Sequence, residues 1–181
     1  LNQANPTNVK PGVLIELFYS DPARLGIFSK ISADELPQPE RKLLAHDHHM
    51  TVTLEGHHHS PVDVRVMEAL AEGDVYSRKI LLTRKSDQQV VQFGIVRLDL
   101  SVLEPVVRKE IESQQTPLGR ILIRHDVLRQ VKLSHLYRIS AGRELANAFG
   151  IEQGGECFGR TALIYCNGSP AVELLEIVGN C

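Results

Sequence analysis

The sequence predicts an α+β fold: one antiparallel β-sheet with helices packed on one face. Three observations predict it. Strand-type alternation comes in a run from residue 62 to 96, helical spacing takes over from 103 to 122, and strands return at the end. Short polar connections join neighbouring strands, as hairpins in an antiparallel sheet require. The length, 181 residues, fits a single domain, 1–181, with a sizeable core and no need for disulfide or metal staples.

The elements follow in order. The first thirty residues mix short apolar runs with Pro and Gly and define no clear element. Ser32-Ala33-Asp34-Glu35-Leu36-Pro37 reads as a helix entry, with Ser32 or Asp34 as the cap and acids in the first turn. A short helix then runs through Arg41, Leu43 and Leu44. From Met50 onward the expectation is extended chain. Val62, Val64 and Val66 alternate with Asp63, Arg65 and Met67. Tyr76, Arg78, Ile80 and Leu82 share one side of a second strand, and Val91, Phe93 and Ile95 one side of a third. The polar stretch Arg84-Lys85-Ser86-Asp87-Gln88 makes the last two a hairpin.

Leu103, Val106, Val107 and Ile111 have helical spacing, with Glu104, Arg108, Lys109, Glu110 and Glu112 on the wet side. Thr116-Pro117 restarts the chain, since proline suits a helix entry. Leu118, Ile121 and Leu122 then form an apolar stripe. Val127 to Ile139 reads as extended, and Ala141–Phe149 as a short helix that Gly150 ends. A last hairpin has Thr161, Leu163 and Tyr165, and then Val172, Leu174 and Glu176, flanking Cys166-Asn167-Gly168-Ser169, where Asn-Gly tolerates positive φ.

Bulk properties narrow the function classes. Apolar residues make up 43% and charged residues 23%, and the net charge is −2. That balance gives no electrostatic case for nucleic acid or an anionic membrane surface. No apolar run approaches the roughly 20 residues of a membrane span. Leu1-Asn2-Gln3-Ala4-Asn5-Pro6 has no basic segment followed by an apolar stretch, so a cytoplasmic protein is expected. Cys157, Cys166 and Cys181 are odd in number and lack metal-type spacing, so reduced cysteines are expected, with Cys166 a packed small residue.

Four short pieces carry chemistry: Asp47-His48-His49-Met50-Thr51, Tyr76-Ser77-Arg78-Lys79-Ile80-Leu81-Leu82, Thr116-Pro117-Leu118-Gly119-Arg120, and Pro170-Ala171-Val172-Glu173-Leu174-Leu175-Glu176. Their order and spacing resemble the chorismate pyruvate-lyase (4-hydroxybenzoate synthase) family, over about residues 43–178. The Thr-Pro-Leu-Gly-Arg block is the most specific. The His-rich stretch around Gly56-His57-His58-His59 is closer to a divergent branch of that family, found in archaea, cyanobacteria and other bacteria. The closing hairpin departs by about one residue in the distance from Pro170 to the family's glutamate. Glu173 or Glu176 then fills that place, and Glu176, deep among apolar neighbours, is preferred.

The resemblance implies a chorismate lyase-like fold and the conversion of chorismate to 4-hydroxybenzoate and pyruvate in a buried pocket. It implies no cofactor and no metal. Arg78 would clamp a carboxylate with two parallel hydrogen bonds. Glu176 would bind the ring hydroxyl or move a proton. Leu118, between Pro117 and Gly119 at a helix start, would offer its backbone N–H to an anion. Met50 would supply a main-chain contact and an apolar wall. His48 or His49 would help line the pocket, and Arg120 and Arg160 are further candidates for a second carboxylate. Small-molecule binding by a monomer or homodimer is expected, with product feeding quinone synthesis or another aromatic pathway.

Two other readings compete. The same fold serves as the effector-sensing domain of GntR-type transcription regulators, where the pocket binds a small molecule without turnover. Such domains follow a DNA-binding winged helix, and the stretch before His46 is short for one, which favours the enzyme. A metal-dependent hydrolase is the third reading. Six of eight histidines fall between His46 and His59, and across an antiparallel hairpin His46 or His48 could approach His57 or His59 with Asp47. That spacing matches no standard zinc signature and brings no general-base motif.

Overall fold

The computed structural model describes residues 8–127 and 129–179. The opening segment Leu1–Pro6 and Cys181 lie outside them. The core is one seven-stranded sheet in which every neighbouring pair is antiparallel. The strands are β1 (Gly26–Ile31), β2 (Val62–Glu72), β3 (Val75–Arg84), β4 (Val90–Asp99), β5 (Arg129–Ala141), β6 (Glu156–Cys166) and β7 (Ser169–Val178). Their order is β1-β5-β6-β7-β4-β3-β2. Two meanders, β2-β3-β4 and β5-β6-β7, therefore join side by side through the β4–β7 pair.

The turns form where the sequence supplies them. Asn167 and Gly168 both have positive φ, 51° and 84°, and close the β6–β7 hairpin with Cys166 opposite Ser169. Ser32 and Glu35 form a reciprocal capping box on a single 3-10 turn, Ala33–Glu35. Gly150 ends a helix in the left-handed region.

Six helices cover the sheet: α1 (Pro11–Ile15), α2 (Glu40–Leu44), α3 (Met50–His58), α4 (Pro105–Glu112), α5 (Leu118–Arg124) and α6 (Arg143–Phe149). Helices α2 to α5 form the expected layer on one face. Helices α1 and α6 add a smaller layer on the other, where Leu14, Ile15 and Leu145 pack with Leu81, Phe93, Ile95, Leu175 and Ile177. The sheet is thus buried on both sides at its centre. This explains why Val91–Val96 and Ala171–Val178 carry so few polar positions.

One expected element is different. Met50 begins a nine-residue helix, α3, and not a strand. Thr51, Val52, Thr53 and Gly56 are poor helix formers. Packing overrides them: Met50, Thr51 and Leu54 lie on one helical face and are buried. His46 to His49 and His57 to His59 therefore stand at opposite ends of a helix about 13 Å long, not across a hairpin. Among the described residues no group of three or more His, Cys, Asp or Glu is arranged to hold a metal ion.

Two glycines test this packing. A Cβ on Gly142 would lie 2.4 Å from the Arg24 carbonyl oxygen and 2.5 Å from that of Ala23. Gly56, within α3, has open space around it. Gly142→Ala should cost about 3 kcal/mol of unfolding free energy through overpacking. Gly56→Ala should add about 0.5–1 kcal/mol by restricting the unfolded chain and favouring the helix. Urea unfolding of the two variants measures both signs.

Candidate functional site

One face of the sheet carries two apolar clusters. Tyr76, Val96, Leu174 and Ile164 pack with α4 and α5 in the first. Ile80, Leu82, Phe158 and Val178 pack with α2 and α3 in the second. A cavity of about 40 Å³ lies at the seam between them. Its floor is β3, β4, β7 and β6; its roof is the first turns of α3 and α5. Apolar walls with a few polar groups between them are what a small-ligand site needs.

The register lays the floor out in rows. Arg78 of β3 stands beside Val96 of β4, which pairs with Leu174 of β7 and so with Ala162 of β6. The next row is Ile80, Gly94, Glu176 and Arg160. Because side chains alternate along a strand, Arg78 and Glu176 face the same side, and both line the cavity. Glu173 does not join them. It lies on the opposite face, where its carboxylate accepts from Arg97 Nε at 2.5 Å. The expectation that Glu173 contacts the ligand is corrected by that parity: three residues along a strand change the face.

The two buried arginines differ sharply. Arg160 is fully buried and well partnered. Its Nε donates to Glu176 Oε2 at 2.7 Å, Nη1 to the His46 carbonyl at 2.8 Å, and Nη2 to the His48 carbonyl at 3.1 Å. It thereby braces Glu176 and ties down the segment between α2 and α3. Asp47 Oδ1 anchors the same segment by accepting from Leu133 N at 2.9 Å, beside an irregularity in the β5–β6 register. Arg78 is 1% exposed, yet its Nε and Nη1 have no hydrogen-bond partner among the described residues. Burial pushes its pKa below the ordinary value, and the Tyr76 phenol offsets this only in part.

The roof is built by close approach. A Cβ on Gly119 would sit 3.0 Å from Thr51 Oγ1. Glycine there lets the first turn of α5 close onto that of α3. Neither helix has a side-chain cap at its N-terminus, so main-chain N–H groups at Met50 and Leu118 have no intrahelical acceptor. Met50, Leu118, Gly119 and His49 all line the cavity. Arg120 does not line it and is ion-paired with Glu55. Both further candidates for a second carboxylate are thus already engaged.

Two contributors escaped the sequence reading. One is Arg160 as the brace for Glu176; the other is Gln92 of β4, 2% exposed and lining the cavity. The signal for Gln92 was present: a lone amide inside the apolar run Val90–Val96 is either paired or waiting for a partner.

No family model matches the sequence, and no curated protein is detectably related to it. Solved structures do share its fold. The effector domain of PhnF from Mycobacterium smegmatis matches with a TM-score of 0.51 at 10% identity, over 72% of this chain and 87% of that one. A longer PhnF structure from the same organism matches with a TM-score of 0.50 at 10% identity, over 72% of this chain and 63% of that one. The chain thus spans less than two thirds of that longer protein. The ligand-binding domain of a regulator assigned to the GntR family, from Bordetella bronchiseptica, gives 0.49 at 16% identity, over 66% and 86%. The fold is the antiparallel α+β fold of the PhnF effector domain.

Two predictions follow from the Arg160 brace. Arg160→Met leaves Glu176 and the carbonyls of Leu44, His46 and His48 without their donor, and should cost about 3–5 kcal/mol in urea unfolding. His46 Nδ1 accepts from the His48 N–H at 3.0 Å. Burial, then the Arg160 charge, hold the His46 pKa down to about 4. The unfolded chain therefore binds a proton near pH 6.5 that the folded chain refuses until about pH 4. Stability should fall as pH drops from 6.5 to 4, and His46→Asn should flatten that slope in thermal melts.

Proposed function

We propose that the domain binds a small organic carboxylate in this cavity, with Arg78 as its anion receptor. One observation carries the reading: a guanidinium buried to 1% exposure with two nitrogens that have no partner among the described residues. A buried charge without a counter-ion costs stability, and an anion that presents two oxygens removes that cost. Unpaired N–H groups at the start of α3 add positive potential on the same side. Ile80, Leu82, Val96 and Leu174 suit the flat apolar body of an aromatic or near-aromatic ring.

Binding without turnover, the effector-sensing role, is the first reading. The PhnF neighbour is described as an effector domain, which supports that role. Chorismate lyase is the second reading, and the position of Glu176 favours it. Its carboxylate enters the same cavity from another strand, braced by Arg160. In that reaction the ring C4–H proton leaves, the bond from ring C3 to the enolpyruvyl oxygen breaks, and the electron pair completes the aromatic ring. The departing enolpyruvate takes up a proton to become pyruvate. No electron acceptor is needed. Arg78 would hold a carboxylate in place, and Glu176 would bind the ring hydroxyl or relay the proton.

Calorimetric titration with 4-hydroxybenzoate tests the shared claim. Binding should be one to one and weaken about a hundredfold in Arg78→Met, through loss of charged hydrogen bonds. The same variant should melt at the same temperature or higher, because an unpaired buried charge is gone. Unchanged affinity in Arg78→Met would remove the claim. Incubation with chorismate separates the two readings. Equal amounts of pyruvate and 4-hydroxybenzoate, abolished by Glu176→Gln, establish the lyase; binding with no pyruvate establishes the sensor.

A further inference from the structure

Beyond Arg78 and Glu176, the cavity floor has a third polar position. The register that sets Gly94 opposite Glu176 and Phe93 opposite Ile177 carries Gln92 beside Val178, and Gln92 pairs with Leu82 on its other side. The surrounding cluster is apolar: Leu82, Val178 and Phe158 below, Met50 and Leu54 above. Gln92 is 2% exposed, and its Oε1 has no hydrogen-bond partner among the described residues. Its Nε2 lies 3.4 Å from where a Cβ on Gly94 would stand. The amide therefore extends over the bare floor that Gly94 leaves open.

An apolar end does not call for a carboxamide. Leucine or methionine would fill the same space without an orphaned acceptor. Arg78, Glu176 and Gln92 occupy successive rows, each two residues further along the strands, or roughly 7 Å apart at the backbone. Gln92 thus stands two rows from Arg78, with Glu176 in the row between.

We infer that Gln92 is a specificity-determining residue that hydrogen-bonds a polar substituent on the ligand, at the end away from the carboxylate held by Arg78. This rests on the carboxylate reading above. It adds to it a preferred ligand class: carboxylates that carry a hydrogen-bond donor at their far end, over isosteres that carry a methyl there. The oxygen of Gln92 accepts from that donor, and its NH₂ remains available to an acceptor. A site built to pair a substituent rejects the analogue that leaves its own amide unpaired.

The test compares 4-hydroxybenzoate with 4-methylbenzoate by calorimetry, on the intact chain and on Gln92→Met. The native protein should prefer the hydroxyl ligand at least tenfold. Gln92→Met should bring the ratio to about one, mainly by tightening the methyl ligand. The wild-type side-chain amide resonances of Gln92 provide a measurement independent of any variant. They should shift with 4-hydroxybenzoate and stay in place with 4-methylbenzoate. A ratio unchanged by Gln92→Met, or amide resonances indifferent to the hydroxyl, overturns the inference while leaving Arg78 untouched. Failure of both ligands to bind the native protein overturns the carboxylate reading, and this inference with it.

Discussion

Two arginines buried on one sheet face, in adjacent rows, organise this molecule. Burial of a guanidinium is tolerable only when its donors are used. Arg160 uses its donors inside the protein: on a carboxylate from β7 and on the carbonyls of the segment that leads into α3. That fixes the roof over the floor. Arg78 stands in the neighbouring row with its Nε and Nη1 lacking a partner among the described residues. The fold thus supplies both a rigid enclosure and one unmet electrostatic demand within it.

The division of labour follows from topology. Two meanders meet at β4 and β7, so the central strands are buried on both faces, where a polar side chain without a partner is costly. Arg78, Gln92, Glu176 and Arg160 all belong to β3, β4, β7 or β6. They project toward the face where α3 and α5 meet end to end, and where Gly94 and Gly119 leave room. A salt bridge on the other face, Arg97 with Glu173, shows the alternative: a charge pair satisfied at short range, with nothing left to offer a ligand.

Much of this was legible in the sequence, for definite reasons. Period-two alternation in β3 put Arg78 with Tyr76, Ile80 and Leu82, and that face is indeed buried. The Asn167-Gly168 turn marked the β6–β7 hairpin, but the irregularity between Ile164 and Tyr165 that sets Arg160 beside Glu176 left no mark in the sequence. Alternation also separates Glu173 from Glu176, although only the coordinates say which one faces the cavity. Helix α3 was hidden because β-branched residues and Gly56 argue locally for another state, while the apolar cluster that holds it includes Ile80, Phe158 and Val178, far away in sequence. Helix α6 was read from the sequence but not its place on the second face, and α1, only five residues long, was missed. Arg160 was read as a candidate for a second carboxylate, whereas it braces Glu176, and Gln92 was singled out only once the register placed it on the cavity floor.

The central claim is that Arg78 keeps donors free for an anion. Side-chain nitrogen NMR of the Arg78 guanidinium during titration with benzoate addresses it most directly. The account predicts a downfield shift of the Arg78 Nε–H and slower exchange with water as the ligand binds, with Arg160 already protected beforehand. An Arg78 signal that ignores a ligand shown to bind, or one already protected in the free protein, would contradict it.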